Sequence, residues 1–392
     1  MTTPAPQCST SGKLPLIPLD EGGPDLWVSG EGARFADRGG RTWLDFDLCL
    51  GTVVWGHGRR EVIEAAALAM QAGSAPSVPS VQEDAAAATL LRRLARYESV
   101  RFFKTGGDSC AAAVRLARQA TGRDMIVSDG YHGWHDWGVA GAYPETAESL
   151  GVPEAARRLD VRVDPADGEA SAMGCLTGQG KELAACVLRP EAWPGEVLRR
   201  LAIRIRELGA LLICDEVTSH LKYSKSGCAA ALGVDPDMLC ISKGIANGLP
   251  LAALLGPARL LDVAGAARIS STNSSETASL AALTACEDLL ARAPAWPVWR
   301  DSLAAVIEAV AKELHRSGAD SKLTIISHPG FFSIERRGIA FATDPFRRHI
   351  VASLGRRGLY SRGWFHGSDA HGVRDWEQLE EALCLALRDW AG

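Results

Sequence analysis

The chain of 392 residues lacks any run of about eighteen apolar residues, the length that a helix needs to cross a membrane. Its first fifteen residues also lack a charged segment followed by an apolar stretch, the pattern of a secretion signal. We therefore expect a protein without membrane spans that resides in the cytoplasm.

The sequence also lacks an excess of basic residues. Lysine and arginine together number 42, against 47 aspartate and glutamate residues, so the formal net charge is −5. Such a balance provides no electrostatic attraction toward nucleic acid or an anionic membrane, and we expect neither as a partner. With 47% hydrophobic and 23% charged residues, the composition is typical of a globular enzyme.

Regular cysteine spacing is absent as well. None of the ten cysteines forms a CxxC pair, and several lie in apolar runs, as expected for buried free thiols in a reducing compartment.

His132, His135 and Asp136 lie close together in the sequence, but no further ligands accompany them at a recognised spacing. We therefore predict no metal site.

Helix-like and strand-like segments alternate through the middle of the chain. This alternation predicts an α/β fold in which helices pack on a largely parallel sheet. The predicted helices and strands of this region are helices 61–71, 82–97, 108–120, 197–208 and 276–292, and strands 125–128, 185–188 and 210–214.

The domain organisation predicted from these patterns has three parts. Residues 1–60 form a loose arm of about fifteen residues and a hairpin around Gly39-Gly40, and belong to a small domain. Residues 61–292 form the large domain. Residues 293–392 complete the small α+β domain, in which helices 299–315 and 375–390 frame two strands.

Two residues at the ends of apolar strands have the chemistry of a pyridoxal-phosphate site. Lys243 lies among small residues, where loss of solvation frees an amine for attack on an aldehyde. Asp215 ends another strand, and its carboxylate can keep a pyridine nitrogen protonated. A paired-carboxylate site at Asp215 and Glu216 is the alternative, but neighbouring residues on a strand point to opposite faces.

Two further segments fit such a site. Thr105, Gly106 and Gly107 precede a helix, and backbone amides at a helix start can close on a phosphate. Tyr131 follows the strand 125–128, where an aromatic ring can stack on a planar cofactor. Each segment alone is also compatible with an ordinary turn or with core packing.

Together these motifs resemble a known family. Tyr-His-Gly-Trp-His-Asp-Trp at 131–137, Asp-Glu-Val at 215–217, Ser-Lys-Gly-Ile-Ala-Asn-Gly-Leu-Pro-Leu at 242–251 and Ser-Thr-Asn-Ser-Ser-Glu-Thr at 271–277 are similar to motifs of class III pyridoxal-phosphate aminotransferases. The strongest likeness is to the glutamate-1-semialdehyde aminomutase-like branch. It extends from about Gly32 to the segment ending at His371.

The resemblance implies fold type I, with a mostly parallel seven-stranded sheet in the large domain and a smaller α+β domain. It implies that Lys243 bonds covalently to pyridoxal 5'-phosphate and that Asp215 pairs with the pyridine nitrogen. Thr272 is expected to reach the phosphate from the neighbouring subunit, which makes the protein a homodimer with shared active sites. The other expected cofactor contacts are Thr105, Gly106, Gly107, Tyr131, His132 and Val217, and the candidate substrate contacts are Trp55, Trp134, Arg189 and Glu276.

The sequence departs from the family pattern at three places. Gly107 provides no hydroxyl where the family usually has one in its phosphate loop, so Thr105, Ser109 or the backbone must supply that contact. Arg189 stands where the family usually has glutamate before proline. After Asp-Glu-Val, many members continue Thr-Gly-Phe-Arg, whereas this chain has Thr-Ser-His-Leu-Lys at 218–222 and lacks that arginine, so substrate assignments based on it do not transfer.

The predicted activity is ping-pong transfer of an amino group from a small-molecule donor to a ketone or aldehyde acceptor, for which a sugar-like compound or a specialised metabolite is the candidate. A first alternative is an aminomutase of the glutamate-1-semialdehyde type, which would need no external donor. A second is a catalytically silent relative that binds a sugar, nucleotide or protein.

Overall fold

The computed structural model of the protein describes residues 16–142, 151–337, 339 and 344–390. The chain divides into two compact units. The smaller unit comprises Met1–Arg60 and Ala295–Gly392, and the larger unit comprises Glu61–Pro294. The predicted N-terminal arm lies outside the described residues.

The described residues contain fourteen strands, which we number in chain order. They are β1 Trp27–Glu31, β2 Arg34–Asp37, β3 Thr42–Asp45, β4 Ser99–Phe103, β5 Met125–Ser128, β6 Asp160–Arg162, β7 Leu183–Leu188, β8 Leu211–Asp215, β9 Met238–Ile241, β10 Ala252–Gly256, β11 Leu323–His328, β12 Phe331–Arg336, β13 Leu359–Tyr360 and β14 Trp364–His366.

Ten α-helices of seven or more residues occur in the same described ranges. They are α1 Arg60–Gln71, α2 Val81–Arg93, α3 Gly106–Thr121, α4 Asp136–Ala142, α5 Gly168–Gln179, α6 Gly195–Glu207, α7 Thr277–Arg292, α8 Arg300–Ser317, α9 Pro345–Arg356 and α10 Val373–Arg388. None of the helices in the described residues combines the length and apolarity that a membrane span requires.

The larger unit is built on a seven-stranded sheet in the order β4-β10-β9-β8-β7-β5-β6. Strand β10 is antiparallel to both β4 and β9, and the other pairs are parallel. The mostly parallel seven-stranded sheet is therefore confirmed. Its central strands are buried along their whole length, as expected when helices cover both faces of a sheet.

Helix α3 packs on this sheet through small side chains. Cys110, Ala113 and Ala117 are fully buried in one hydrophobic cluster with Ala185 and Ile213 of the sheet. Small residues allow the helix to approach the strands closely, which brings its N-terminus to the end of the sheet where the candidate site lies.

The smaller unit contains two sheets. Strands β1, β2 and β3 are antiparallel neighbours, and β13 joins β3 in parallel. Strand β12 lies between β11 and β14 and is antiparallel to both. The hairpin predicted around Gly39-Gly40 is the β2–β3 pair, in which Arg34 lies opposite Leu44.

Two sequence predictions about these elements were wrong. The C-terminal part contains four strands instead of two, because β13 and β14 have only two and three residues and show no alternating pattern. Helix α2 ends at Arg93 instead of continuing to Tyr97, because Leu94 leaves the helical conformation at φ −108° and ψ 52°. Leu94 and Tyr97 are nevertheless buried, so the apolar pattern continues past the end of the helix.

Candidate active site

The candidate site lies in the larger unit, at the carboxyl ends of β5, β7, β8 and β9. These strands are parallel, so their ends meet at the same edge of the sheet. In an open α/β sheet this edge is where ligands bind. The register places Leu188 beside Cys214 and Asp215 beside Cys240, so the residues that follow these strands lie in a row.

Asp215 is the last residue of β8 and is buried. His132 Nδ1 lies 2.8 Å from Asp215 Oδ2, and the amide of Val217 donates to Oδ1 at 2.9 Å. A carboxylate has about four acceptor positions, so these two contacts leave Asp215 able to accept a further hydrogen bond.

Glu216 points away from this row and has different partners. Its oxygens accept hydrogen bonds from the amides of Cys228 at 2.9 Å and Ala229 at 2.6 Å, and from His220 Nδ1 at 2.8 Å. Asp215 and Glu216 therefore do not share a proton. The paired-carboxylate alternative does not fit this geometry.

His132 is a buried cation between two carboxylates. Its Nδ1 contacts Asp215, and its Nε2 lies 3.3 Å from Asp129 Oδ1. Burial alone would lower the pKa of His132, but hydrogen bonds and charge attraction from Asp129 and Asp215 outweigh it and raise the pKa to about 9. The histidine is thus protonated at neutral pH.

This raised pKa predicts a pH-dependent contribution to folding. Because the pKa rises from 6.5 to about 9 on folding, the stabilisation is fully present below pH 6.5 and is lost as the pH rises through 9. The difference in unfolding free energy between wild type and His132→Gln should be about 3 kcal/mol larger at pH 6 than above pH 9. Urea unfolding at both pH values measures it.

The exposed His315 provides the matched control, since His315→Gln removes an imidazole elsewhere in the chain. A difference between wild type and His132→Gln that stays constant, or grows with pH, would show that His132 is not held as a cation in the folded protein.

Lys243 follows β9 and begins a short 3-10 helix, Lys243–Ala246. Its φ of 49° lies in the left-handed region, which is uncommon for a residue with a side chain and is often associated with functional sites. Its Nζ donates a hydrogen bond to Thr218 Oγ1 at 2.6 Å. The amine thus lies against the segment that follows Asp215.

The start of α3 also reaches this segment. A Cβ atom on Gly106 would lie only 2.6 Å from both methyl groups of Val217, so a larger residue does not fit there without displacement. The backbone at Gly133 passes close to Gly107, since a Cβ atom added to Gly133 would lie 2.7 Å from the Gly107 Cα. Within the described ranges, the amides of Gly106 and Gly107 have no hydrogen-bond partner.

Thr105 caps this helix, which begins two residues earlier than predicted. Thr105 Oγ1 accepts from the Asp108 amide at 3.1 Å, and Asp108 Oδ2 accepts from the Thr105 amide at 3.2 Å. The Thr105 hydroxyl keeps its own proton for donation. Ser109 is fully buried, and its hydroxyl donates to the Gly106 carbonyl instead.

The remaining cofactor and substrate candidates occupy varied surroundings. Tyr131 and Thr272 are exposed, as is Trp134, which stacks on His135. Trp55 is buried in the smaller unit, where its ring packs 4.3 Å from that of Trp296, so its contacts are those of a core residue.

Glu276 is occupied as the N-cap of α7. Its carboxylate accepts from the amides of Ala278 and Ser279, from the Ser279 hydroxyl, and from Lys104 Nζ at 2.9 Å. These contacts favour a structural role for Glu276 over the predicted substrate contact.

Three residues of this edge were not identified from the sequence. Asp129 is fully buried and contacts both His132 and Arg189. The only sequence feature that could have identified Asp129 is its position directly after strand β5. Thr218 binds Lys243 Nζ. Glu191 Oε2 accepts from the Ser219 hydroxyl at 2.7 Å, and burial raises the Glu191 pKa to about 7.

Comparison with known proteins identifies the family. The model of the family described as aminotransferase class-III matches residues 25–166 and 191–358, more than half of the chain. The 2'-deamino-2'-hydroxyneamine transaminase of Streptomyces kanamyceticus is 29% identical over 379 residues, which cover 94% of this chain and 93% of that enzyme.

Other relatives belong to the aminomutase branch. A glutamate-1-semialdehyde 2,1-aminomutase of Thermus thermophilus is 28% identical over 93% of this chain and 92% of that enzyme.

Among solved structures, an omega-transaminase from Sphaerobacter thermophilus superimposes with a TM-score of 0.81 at 24% identity, and the match covers 94% of this chain and 92% of that one. That structural likeness supports the fold.

The predictions of the family, the fold, the cofactor and the aminotransferase activity are therefore confirmed. The matched family model spans the Asp-Glu-Val and Ser-Lys-Gly motifs, and the site brings both motifs to one edge of the sheet. The chain belongs to the class III aminotransferases, and it is a pyridoxal-phosphate-dependent aminotransferase.

Proposed function

We propose that Lys243 and Asp215 are the catalytic residues of this aminotransferase. The observation that carries this proposal is their position at the carboxyl ends of neighbouring parallel strands, with Asp215 beside Cys240 and Lys243 three residues after Cys240. When bound, pyridoxal phosphate supplies an aldehyde that condenses with amines and a ring that takes up electrons. The amine of Lys243 would move a proton at the substrate carbon, and Thr218 Oγ1 would orient that amine.

Asp215 would keep the ring nitrogen protonated, and His132 would hold the Asp215 side chain in place. His132 Nδ1 lies 2.8 Å from Asp215 Oδ2, and the buried surroundings strengthen the attraction between the two side chains. Val217 and Tyr131 would contact the two ring faces. His132 would act through its contact with Asp215, so we propose that it positions the Asp215 side chain.

The phosphate would bind at the start of α3. The amides of Gly106 and Gly107 and the Thr105 hydroxyl are the proposed donors in one subunit, and the positive end of the helix dipole favours a dianion there. Because the Ser109 hydroxyl is turned to the Gly106 carbonyl, Thr105 is the side chain that replaces the hydroxyl missing at Gly107.

Gly106→Ala is expected to weaken cofactor binding about tenfold. The added methyl group would lie 2.6 Å from the Val217 methyls, and the displacement costs about 1–3 kcal/mol. Fluorescence titration of the cofactor into apoprotein measures the dissociation constant. Gly174→Ala is the matched control, because no atom lies within 4 Å of its Cβ. Equal affinity for wild type and Gly106→Ala would argue against a cofactor at this helix start.

The acceptor that we propose is a ketone or aldehyde on a sugar-like ring, in specialised metabolism. Support comes from the transaminase of Streptomyces kanamyceticus, which is named for 2'-deamino-2'-hydroxyneamine and is similar over 94% of this chain. The exposed rings of Tyr131 and Trp134 offer apolar faces of the kind on which sugars pack.

A mass-spectrometric screen tests this proposal. Enzyme loaded with pyridoxamine phosphate is offered oxidised amino sugars and cyclitols, and simple keto acids and aldehydes serve as controls. We expect an oxidised sugar-type compound to gain an amine with the highest kcat/KM. Turnover of the simple keto acids alone would contradict the acceptor class and leave the aminotransferase activity intact.

The aminomutase outcome is a second candidate, favoured by the similarity to the glutamate-1-semialdehyde aminomutase of Thermus thermophilus. A mutase converts one compound and needs no external amino donor. Conversion of glutamate-1-semialdehyde without any donor would support this candidate, whereas a strict requirement for a second substrate would exclude it.

We also propose a homodimer in which Thr272 completes the partner's phosphate site. Thr272 is exposed, and a group of large apolar side chains is exposed in residues 63–81: Ile63, Leu68, Met70, Val78 and Val81. Exposed apolar side chains of this density are typical of a surface that another protein covers. Sedimentation velocity at micromolar concentration should give twice the monomer mass.

The cytoplasm is the location that we propose. Nine cysteines in the described part of the chain are free thiols, and six of them are buried. Unpaired thiols in this number fit a reducing compartment.

A further inference from the structure

Arg189 lies next to the residues that we propose as catalytic. It is the first residue after β7, and the register that pairs Leu188 with Cys214 places it beside Asp215. Neighbouring strands lie about 4.8 Å apart, so the guanidinium stands at the edge where the reaction would take place.

One edge of the Arg189 side chain is held by Asp129. The Arg189 amide donates to both Asp129 oxygens at 3.1 and 3.0 Å, Nε donates to Oδ1 at 3.4 Å, and Nη2 donates to the Asp129 carbonyl at 2.7 Å. A Cβ on Gly130 would lie 2.7 Å from Nη2, so the glycine makes room for the guanidinium.

The other edge of the guanidinium forms no hydrogen bond with the described part of the protein. No residue in the described ranges forms a hydrogen bond with Nη1, and the side chain is 37% exposed, whereas that of Asp129 is fully buried. An arginine has five N–H donors, of which the contacts with Asp129 use two. The structure therefore presents a cation that is fixed on one side and has donors without hydrogen bonds to the described residues on the other.

The carboxylate of Asp129 is itself shared, so it does not fully neutralise Arg189. Trp193 Nε1 donates to Asp129 Oδ2 at 2.7 Å, and His132 lies 3.3 Å from Oδ1. Three acids, Asp129, Asp215 and Glu191, thus lie near the two basic side chains His132 and Arg189, and Glu191 attracts Arg189 without a hydrogen bond to it. Because burial raises the pKa of Glu191 to about 7, its carboxylate is partly protonated at neutral pH, and the Arg189 donors that form no hydrogen bond remain available to a substrate anion.

We propose that Arg189 binds the carboxylate of an amino-acid donor, the carboxylate attached to the carbon whose amine is transferred. A carboxylate presents two oxygens in one plane and matches the free edge of a guanidinium. This proposal rests on the function proposed above and assigns the substrate contact that orients the donor. Asp129 then acts as the support that keeps the guanidinium in place.

The test compares donors that differ only in this carboxylate. L-Alanine is paired with ethylamine and L-glutamate with 4-aminobutyrate, each reacted with the holoenzyme and followed by stopped-flow absorbance of the bound cofactor. In Arg189→Gln the ratio of kcat/KM for amino acid over amine should fall roughly tenfold or more, mainly through KM, because a charge-assisted hydrogen bond is lost. Arg189→Lys should show a smaller fall in the same ratio.

Arg199→Gln is the matched control, since Arg199 is an exposed arginine of α6 in the same unit whose Nη1 donates to the Leu232 carbonyl. If Arg189→Gln does not fold, the ratio measured for Arg189→Lys tests the proposal, because an ammonium group keeps the positive charge but cannot form the bidentate contact with a carboxylate. An unchanged ratio in the folded variant would overturn the role of Arg189.

The remaining outcomes separate this proposal from the proposed function. Amine transfer from ethylamine and 4-aminobutyrate but from neither amino acid would overturn the carboxylate contact and leave the aminotransferase activity standing. Failure of wild-type holoenzyme to accept an amine from any donor would overturn both.

Discussion

Lys243→Ala is expected to lower kcat about 10⁴-fold and to abolish the absorbance that the covalently bound cofactor gives the wild-type enzyme. The expected loss is large because the proposed function gives one amine two tasks: it bonds to the cofactor, and it moves the proton at the substrate carbon. Thr218, which binds Nζ at 2.6 Å, has a hydroxyl that is too weak a base to replace it. Absorbance spectra and single-turnover kinetics measure both effects.

Lys181→Ala is the control for this variant, because Lys181 is an exposed lysine of the same unit, in the turn before β7. Its spectrum and kcat should match those of the wild type. Partial recovery of Lys243→Ala by added small amines would support the proton-transfer role. A variant that keeps the wild-type spectrum and more than a tenth of the activity would refute the role of Lys243.

Asp215→Asn is expected to lower kcat by about 10²- to 10³-fold, with weaker cofactor binding. An amide cannot balance a positive charge on the ring nitrogen, so the ring loses its capacity to take up electrons. The same substitution removes one of the two carboxylates that raise the pKa of His132, and we expect that pKa to fall. Rapid-quench kinetics and NMR titration of the imidazole measure the two effects.

Glu216→Gln is the natural comparison, because Glu216 is the adjacent carboxylate and holds the amides of Cys228 and Ala229 instead. This variant should unfold at a lower temperature, while the kcat of its folded fraction stays within a few-fold of wild type. Similar kcat losses in both variants would indicate a general effect of disturbing β8, and the proposed pairing of Asp215 with the ring would be wrong.

The positions of Asp215 and Lys243 at strand ends were predictable because each signal lies within a short segment. An apolar strand that ends in Asp215, and a strand followed by Lys243 among small residues, are recognisable without knowledge of the fold. The helix start at Gly106 and Gly107 is local in the same way. The parallel sheet followed from alternation alone, since parallel strands need crossover connections.

The contacts that support these residues were not predictable, because they join segments far apart in the sequence. Arg189 and Asp129 are 60 residues apart, and His132 and Asp215 are 83 apart. Nothing near Asp129 indicates that it would hold an arginine and a tryptophan. The contacts of Glu276 were unpredictable for a different reason: nothing in its motif indicated that its carboxylate would cap α7.

The central claim is that pyridoxal phosphate bonds to the Nζ of Lys243. Reduction of the holoenzyme with borohydride would make that bond permanent, and peptide mapping by mass spectrometry would then locate it. We expect the cofactor mass on the peptide that contains Lys243 and on no other. Attachment at another lysine, such as Lys222 or Lys104, or no modified peptide in cofactor-loaded protein, would contradict the claim.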